Sequence, residues 1–232
     1  MFELIAFDAD DTLWHNELLY EQTQAGLVEL LADYADSQTV VQRLFETEMQ
    51  NLELYGYGIK SFTLSMIETA IELSNGQISG RKIRQIIDFA RNMLTAEINL
   101  LEQVPQTIQA LAASYRLMVI TKGDLLDQQA KLARSGLADY FEAIEIVSEK
   151  SEETYRAMLQ QRGIAPARFL MVGNSLRSDI LPVVAIGGRA VYVPYHLTWQ
   201  HEVVDEIEEG HQNGYYELEH LGQLPELLDK LS

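Results

Sequence analysis

The chain has 232 residues, 47% of them hydrophobic and 22% charged, with no cysteine and a formal net charge of −18. That length suits one large domain or a medium domain carrying an insertion, and the lack of cysteine excludes disulfides and thiolate metal sites. The acidic surplus argues against a nucleic acid polymer or an anionic membrane as partner, and an anionic small molecule would need a local positive pocket or a metal ion. The first segment is interrupted by Glu3 and Asp8 before it reaches the length of a signal peptide or membrane span, so a cytoplasmic protein is expected.

Leu4-Ile5-Ala6-Phe7 reads as a fully buried parallel strand, and it runs straight into Asp8, Asp10 and Asp11. Neighbouring acids repel, so the cluster calls for a cation, a shared proton or solvent. A solvated turn is the plain alternative. From Asn16 to about Leu101 the pattern is helical. Leu27, Leu30, Leu31 and Tyr34 share one face, Val41, Leu44, Phe45, Met49 and Leu52 a second, and Ile83, Ile86, Ile87, Ala90, Met93 and Leu94 a third. With a further helix from about Ser61 to Leu73, and starts at Asp36-Ser37 and Ser79-Gly80, this makes a four-helix block without a strand.

After Val104-Pro105 the texture changes to strands alternating with helices. A helix over Thr107–Tyr115 precedes the strand Leu117–Thr121, and a helix over Leu125–Ser135 stops at Gly136. The strand Ile144–Val147, the helix Glu152–Gln161, the strand Phe169–Val172, the helix Ser175–Ile186 and a last strand Ala190–Val193 follow. Leu221–Leu231 reads as a closing amphipathic helix. The alternation predicts an α/β fold with a Rossmann-like doubly wound parallel sheet, and an all-α cap inserted after its first strand. The core then comprises residues 1–15 and 102–232, and the cap residues 16–101.

Chemistry-bearing residues fall at the carboxyl ends of the strands, where open α/β sheets bind ligands. Thr121 with Lys122-Gly123-Asp124 forms a turn whose hydroxyl and backbone N–H groups suit a phosphate, Gly123 allowing close approach. Lys150 precedes Ser151, a natural N-cap, and either reaches a phosphoryl oxygen or faces solvent. Gly173-Asn174-Ser175 and Asp179 bring oxygen donors suited to a hard cation such as Mg²⁺.

Asp8-Ala9-Asp10-Asp11-Thr12-Leu13, Thr121, Lys150, and Gly173-Asn174-Ser175 with Asp179 match, in order, the four motifs of the haloacid dehalogenase superfamily, so the chain resembles a hydrolase of that superfamily with a helical C1-type cap. The resemblance implies a Mg²⁺-dependent phosphatase acting on a small soluble phosphomonoester, of nucleotide or sugar-phosphate type. It makes Asp8 the nucleophile, which forms an aspartyl-phosphate, and Asp10 the acid that protonates the leaving alcohol and then the base that activates water. It assigns the metal to Asp8, the Asp10 carbonyl, Asn174 and Asp179, and the phosphoryl group to Thr121 and Lys150. Asn174 departs from the family pattern, which more often has an acid there, and should weaken the metal site. The alternatives are a phosphomutase or phosphonatase, a 2-haloacid dehalogenase, or a non-catalytic binding protein of the same fold. True dehalogenases of the superfamily lack the second aspartate.

The loop Tyr55-Gly56-Tyr57-Gly58-Ile59-Lys60 either folds over a substrate, with Tyr57 stacking and Lys60 meeting an anion, or is an ordinary helix connection. Arg81, Lys82, Arg84 and Arg91 read as a solvated helix face. Trp14 and His15 are expected to line the mouth of the site or the hinge into the cap. Asp11 is expected to cap or shape the loop, and the acidic stretch Glu202–Glu209 to be solvated surface. His196 and His201-Glu202 lack the spacing of a zinc helix motif.

Overall fold

The computed structural model describes residues 2–203 and 214–231. In chain order the elements are β1 (Leu4–Phe7), α1 (Glu17–Leu31), α2 (Ser37–Tyr55), α3 (Ile59–Leu73), α4 (Gly80–Thr95), α5 (Val104–Ala112), β2 (Arg116–Lys122), α6 (Leu125–Ser135), β3 (Ala143–Val147), α7 (Glu152–Arg162), β4 (Phe169–Gly173), α8 (Leu181–Ala185), β5 (Arg189–Tyr192), β6 (Tyr215–Glu217) and α9 (Leu224–Leu231). The strands form one parallel sheet in the order β3-β2-β1-β4-β5-β6. This is an α/β fold of the Rossmann-like, doubly wound type. The chain runs outward from β1 in one direction and then in the other, so the order reverses between β1 and β4. That crevice is where such sheets hold ligands.

The chain divides into two compact units. One comprises Met1–Glu17, Ile98–Lys122 and Gln128–Ser232, and the other Leu18–Glu97 with Gly123–Asp127. In the sheet unit, β1 is apolar at every position because both of its faces are covered. Ile5 and Phe7 pack with Trp14, Ile108, Val119, Leu170 and Leu224 on one side, and Leu4 and Ala6 with Met118, Tyr155, Met171 and Val183 on the other. Each large side chain removed from water here is worth about 1.5–3 kcal/mol, which anchors the strand that carries Asp8.

The helical unit has its own core of Leu27, Leu31, Val40, Leu44, Phe62, Met66, Ile86 and Met93. Asp36 and Ser79 cap α2 and α4 by accepting from the backbone N–H of Thr39 and Lys82. The buried face of α2 is rotated from the one the apolar spacing predicts. Val40, Leu44, Thr47 and Asn51 point inward, while Val41 is exposed. The small polar groups are tolerated because they pair across α3: Asn51 Nδ2 donates to Ser65 Oγ at 3.1 Å and Glu68 Oε2 at 3.0 Å, and Thr69 Oγ1 to Thr47 Oγ1 at 3.3 Å. On α4, Arg81, Arg84 and Arg91 face solvent as expected, whereas Lys82 turns to Asp33 at 2.9 Å and lies over the Tyr34 ring.

Two further elements differ from expectation. β6 is a sixth strand, too short for alternation to reveal it, added to the edge of β5. The helix expected over Ser175–Ile186 is instead a π-wound turn at Leu176–Ile180 followed by α8. Pro182 has no N–H for the Ser178 carbonyl, which accepts from the Tyr155 hydroxyl at 3.1 Å instead. No helix among the described residues is long and apolar enough to cross a membrane. The acidic run over 204–209 lies outside the described residues.

Candidate active site

Every side chain that surrounds Asp8 below belongs to the sheet unit. Asp8 extends β1 by one ladder bond, its N–H donating to the Val172 carbonyl at 2.9 Å, and its side chain is buried. Lys150, buried beside Ser151, donates to Asp8 Oδ1 and to Asp179 Oδ1, the latter at 2.6 Å. One ammonium therefore lies between two buried carboxylates. Burial pushes the Asp8 carboxyl up to about 7, against the pull of Lys150. Burial alone would depress Lys150, but the Asp179 and Asp8 carboxylates outweigh it and raise its pKa, so the lysine keeps its proton.

Asp179 is fixed from the other side by the backbone N–H of Ser175, which donates to Oδ2 at 3.0 Å. Gly173 makes that approach possible, since a Cβ there would stand 2.2 Å from Asp179 Oδ2. The remaining Asp8 oxygen accepts from Thr12 Oγ1 at 3.1 Å. Asn174 lies against the same group. With its amide nitrogen turned inward it donates to Asp8 Oδ2 at 3.2 Å, the Asp10 carbonyl at 3.3 Å and Thr12 Oγ1 at 3.2 Å. Asn174 thus touches Asp8 and the Asp10 carbonyl, and Lys150 joins Asp8 to Asp179. Thr121 is buried at the end of β2; continuing the register of Phe7 with Val119 places it level with Ala9.

The Asp10 carboxylate is paired on both oxygens. Trp14 Nε1 donates to Oδ1 at 2.7 Å, Gln128 Nε2 to Oδ2 at 2.7 Å, and Lys131 Nζ to both at 3.0 and 3.2 Å. Trp14 is therefore not at the mouth of the site: it is buried beneath Asp10, its ring in the core and its N–H on the carboxylate. His15 pairs through Nδ1 with the Tyr195 hydroxyl at 2.6 Å. Asp11 does cap: at φ 61° it accepts from the N–H groups of Asn16 and Glu17 at the start of α1. Burial raises its carboxyl to about 7.

Glu202 is a correction to its reading as solvated surface. Its side chain is 13% exposed and accepts from Lys122 Nζ at 2.5 Å, Ser175 Oγ at 2.5 Å and Ser178 Oγ at 2.6 Å. Burial would raise its carboxyl, but Lys122 and the three hydrogen bonds hold it down at about 2. Lys122 also reaches Ser178 Oγ at 2.8 Å. Glu202 brings its carboxylate to the turn after β4 from a loop 27 residues away, and no local pattern announces it.

Tyr57, Lys60 and Gly123 belong to the helical unit. There Lys60 Nζ donates to both carboxylate oxygens of Asp124, at 3.0 and 2.9 Å. Gly58, at φ 115°, lets the loop pass close to the backbone of Asp124. Among the described residues no three His, Asp or Glu side chains are gathered as a metal site.

The model of the haloacid dehalogenase-like hydrolase family matches residues 2–187. The fold is shared with a haloacid dehalogenase-like hydrolase of Xanthomonas campestris, 40% identical, with 99% of this chain and 91% of that one covered and a TM-score of 0.88. The chain is similar to a glyceraldehyde 3-phosphate phosphatase of Methanothermobacter thermautotrophicus, 24% identical, over 85% of this chain and 88% of that one. It is also similar to a pyrimidine 5'-nucleotidase of Escherichia coli, 24% identical, over 87% and 90% of the two chains. Together with a central strand that ends in Asp8, and a lysine shared between Asp8 and Asp179, these matches place the chain in the haloacid dehalogenase-like hydrolases.

Proposed function

We propose that the protein is a Mg²⁺-dependent phosphatase that hydrolyses small soluble phosphomonoesters, of nucleotide or sugar-phosphate type, through an aspartyl-phosphate on Asp8. One observation carries the reading: the buried Asp8 carboxylate shares the Lys150 ammonium with Asp179, while a second carboxylate, Asp10, stands two residues on. The relatives named for a triose phosphate and a nucleotide support phosphomonoesters as the class.

The donor set fits Mg²⁺. It consists of hard oxygens: the Asn174 amide lies against Asp8 Oδ2 and the Asp10 carbonyl, and would turn its own oxygen, in place of the nitrogen that donates to them, toward an ion there. Asp8, the Asp10 carbonyl, Asn174 and Asp179 would hold the ion. When bound it offsets the charge of a dianionic phosphate facing a carboxylate. The chain's own residues do the rest. Asp8 attacks phosphorus while Asp10 gives its proton to the departing alcohol oxygen. Asp10 then takes a proton from the water that attacks the acyl phosphate, which frees inorganic phosphate and restores the Asp8 carboxylate. Lys150 and Thr121 bind phosphoryl oxygens. Lys122 contributes to substrate binding only where a phosphate displaces Glu202 from its ammonium.

The helical unit serves as the cap that chooses the substrate, through Tyr57 and Lys60. The bidentate pairing of Lys60 with Asp124 disfavours a phosphonatase, whose Schiff base requires a free neutral amine. A halide leaves without a proton, so the donors gathered on Asp10 would have no task in a 2-haloacid dehalogenase. The test is p-nitrophenyl phosphate turnover with Mg²⁺ and with EDTA, by wild type and Asp8→Asn. Metal-dependent release that vanishes in the variant is the expected result, and a wild type inert toward a panel of phosphomonoesters would overturn the reading.

A further inference from the structure

α6 buries two polar side chains one turn apart, Gln128 at 3% and Lys131 at 4% exposure. A buried ammonium must be paired, and Lys131 donates to both oxygens of Asp10 and to Asn16 Oδ1 at 2.8 Å. Contact with both oxygens stops the carboxylate from turning about its own bond. Gln128 Nε2 closes the second oxygen and also donates to the Lys122 carbonyl at 3.0 Å, which ties Asp10 to the end of β2. Meanwhile Gln128 Oε1 is buried and has no hydrogen-bond partner among the described residues. An unpaired buried acceptor is destabilising, and the amide keeps this orientation because the reverse would set Oε1 against the Asp10 carboxylate and the Lys122 carbonyl. Its orientation serves Asp10.

Resting on the reading of Asp10 as the acid and base of a phosphatase, we propose that Lys131 is a positioning residue. With Gln128 and Trp14, it holds the Asp10 carboxylate in a single orientation for proton transfer. Lys131 touches neither the substrate nor Asp8 in this role and acts through Asp10 alone. Its loss therefore lowers the rate of the chemical steps and leaves substrate binding unchanged.

The test is steady-state kinetics with p-nitrophenyl phosphate and Mg²⁺ on Lys131→Met, Lys131→Arg and Gln128→Met, in the wild-type and Asp10→Asn backgrounds, with thermal melts of each. General acid–base catalysis is worth about 10²–10⁴-fold, so a misdirected Asp10 should lower kcat at least about tenfold, with KM within about threefold. Lys131→Arg should restore part of the rate. In the Asp10→Asn background, followed at high enzyme concentration, Lys131→Met should change the residual rate less than about twofold, because residues that act as one unit are not additive. Wild-type kcat in Lys131→Met, or a loss that persists undiminished in Asp10→Asn, overturns the proposal. If Lys131→Met does not fold, Gln128→Met carries the same test, and an unchanged kcat there overturns it. Wild-type turnover by Asp10→Asn would instead sink the role given to Asp10, and that result is read without any Lys131 variant.

Discussion

Replacing Glu202 by glutamine removes a buried charge that Lys122, Ser175 and Ser178 all hold. Its carboxyl is lowered from the ordinary 4.5 to about 2. At about 1.4 kcal/mol for each tenfold change in proton affinity, that corresponds to about 3 kcal/mol of stability at neutral pH. The folded pKa lies below the unfolded one. The contribution is therefore complete above pH 4.5 and is lost as pH falls toward 2. The assay is urea unfolding of wild type and Glu202→Gln at a series of pH values, where the difference between the two proteins isolates this group. The variant should be less stable by about 2–3 kcal/mol at pH 7, and the gap should close on the acid side. A gap that stays constant with pH, or none at pH 7, would refute the buried ion pair.

Lys150→Met should abolish phosphatase turnover, by at least about hundredfold. It should also destabilise the fold by about 3–5 kcal/mol, since two buried carboxylates lose their shared cation; kinetics and chemical denaturation check the two effects. Asn174→Asp adds a negative charge beside Asp8 Oδ2 and the Asp10 carbonyl. It should lower the Mg²⁺ concentration needed for half-maximal activity by about tenfold, which one pKa-like increment of about 1.4 kcal/mol would supply; Mg²⁺ titration by calorimetry reads the same change without turnover. Gly173→Ala places a Cβ where Asp179 Oδ2 sits. It should therefore lower activity and thermal stability together, more than alanine at the solvent-exposed Gly80, whose Cβ would meet nothing.

The parts of the fold that depend on short-range pattern were legible. β1 stands out because four apolar residues end in acids, and the caps at Asp36, Ser79 and Ser151 stand out because each side-chain oxygen reaches an N–H three residues ahead. What depends on distant partners was not. Thr47 and Asn51 face inward because Ser65, Glu68 and Thr69 wait on the next helix. Such pairing leaves no periodic trace in α2 alone. At the site, the motif residues on strand ends were readable because a parallel sheet must collect its loops on one edge. Lys131 and Gln128 lie on a helix where polar residues ordinarily face water, and Asp10, with Asn16 and the Lys122 carbonyl, turns them inward. Of the two places expected for Trp14, the mouth of the site fails for a related reason, while its backbone does bridge Leu100, where the chain returns to the core. An aromatic next to an acidic loop suits a pocket mouth as well as a core, and its N–H to Asp10 decides for the core. β6 left too few residues for any alternation.

The central claim is that Asp8 carries the phosphoryl group. The most direct measurement mixes enzyme with substrate and Mg²⁺, quenches in acid during turnover, and locates the modification by peptide mass spectrometry. A phosphoryl group on the peptide that contains Asp8, absent from Asp8→Asn and from samples quenched after substrate is exhausted, is the predicted result. Sustained turnover with phosphate on no residue, or on a residue other than Asp8, would contradict the account.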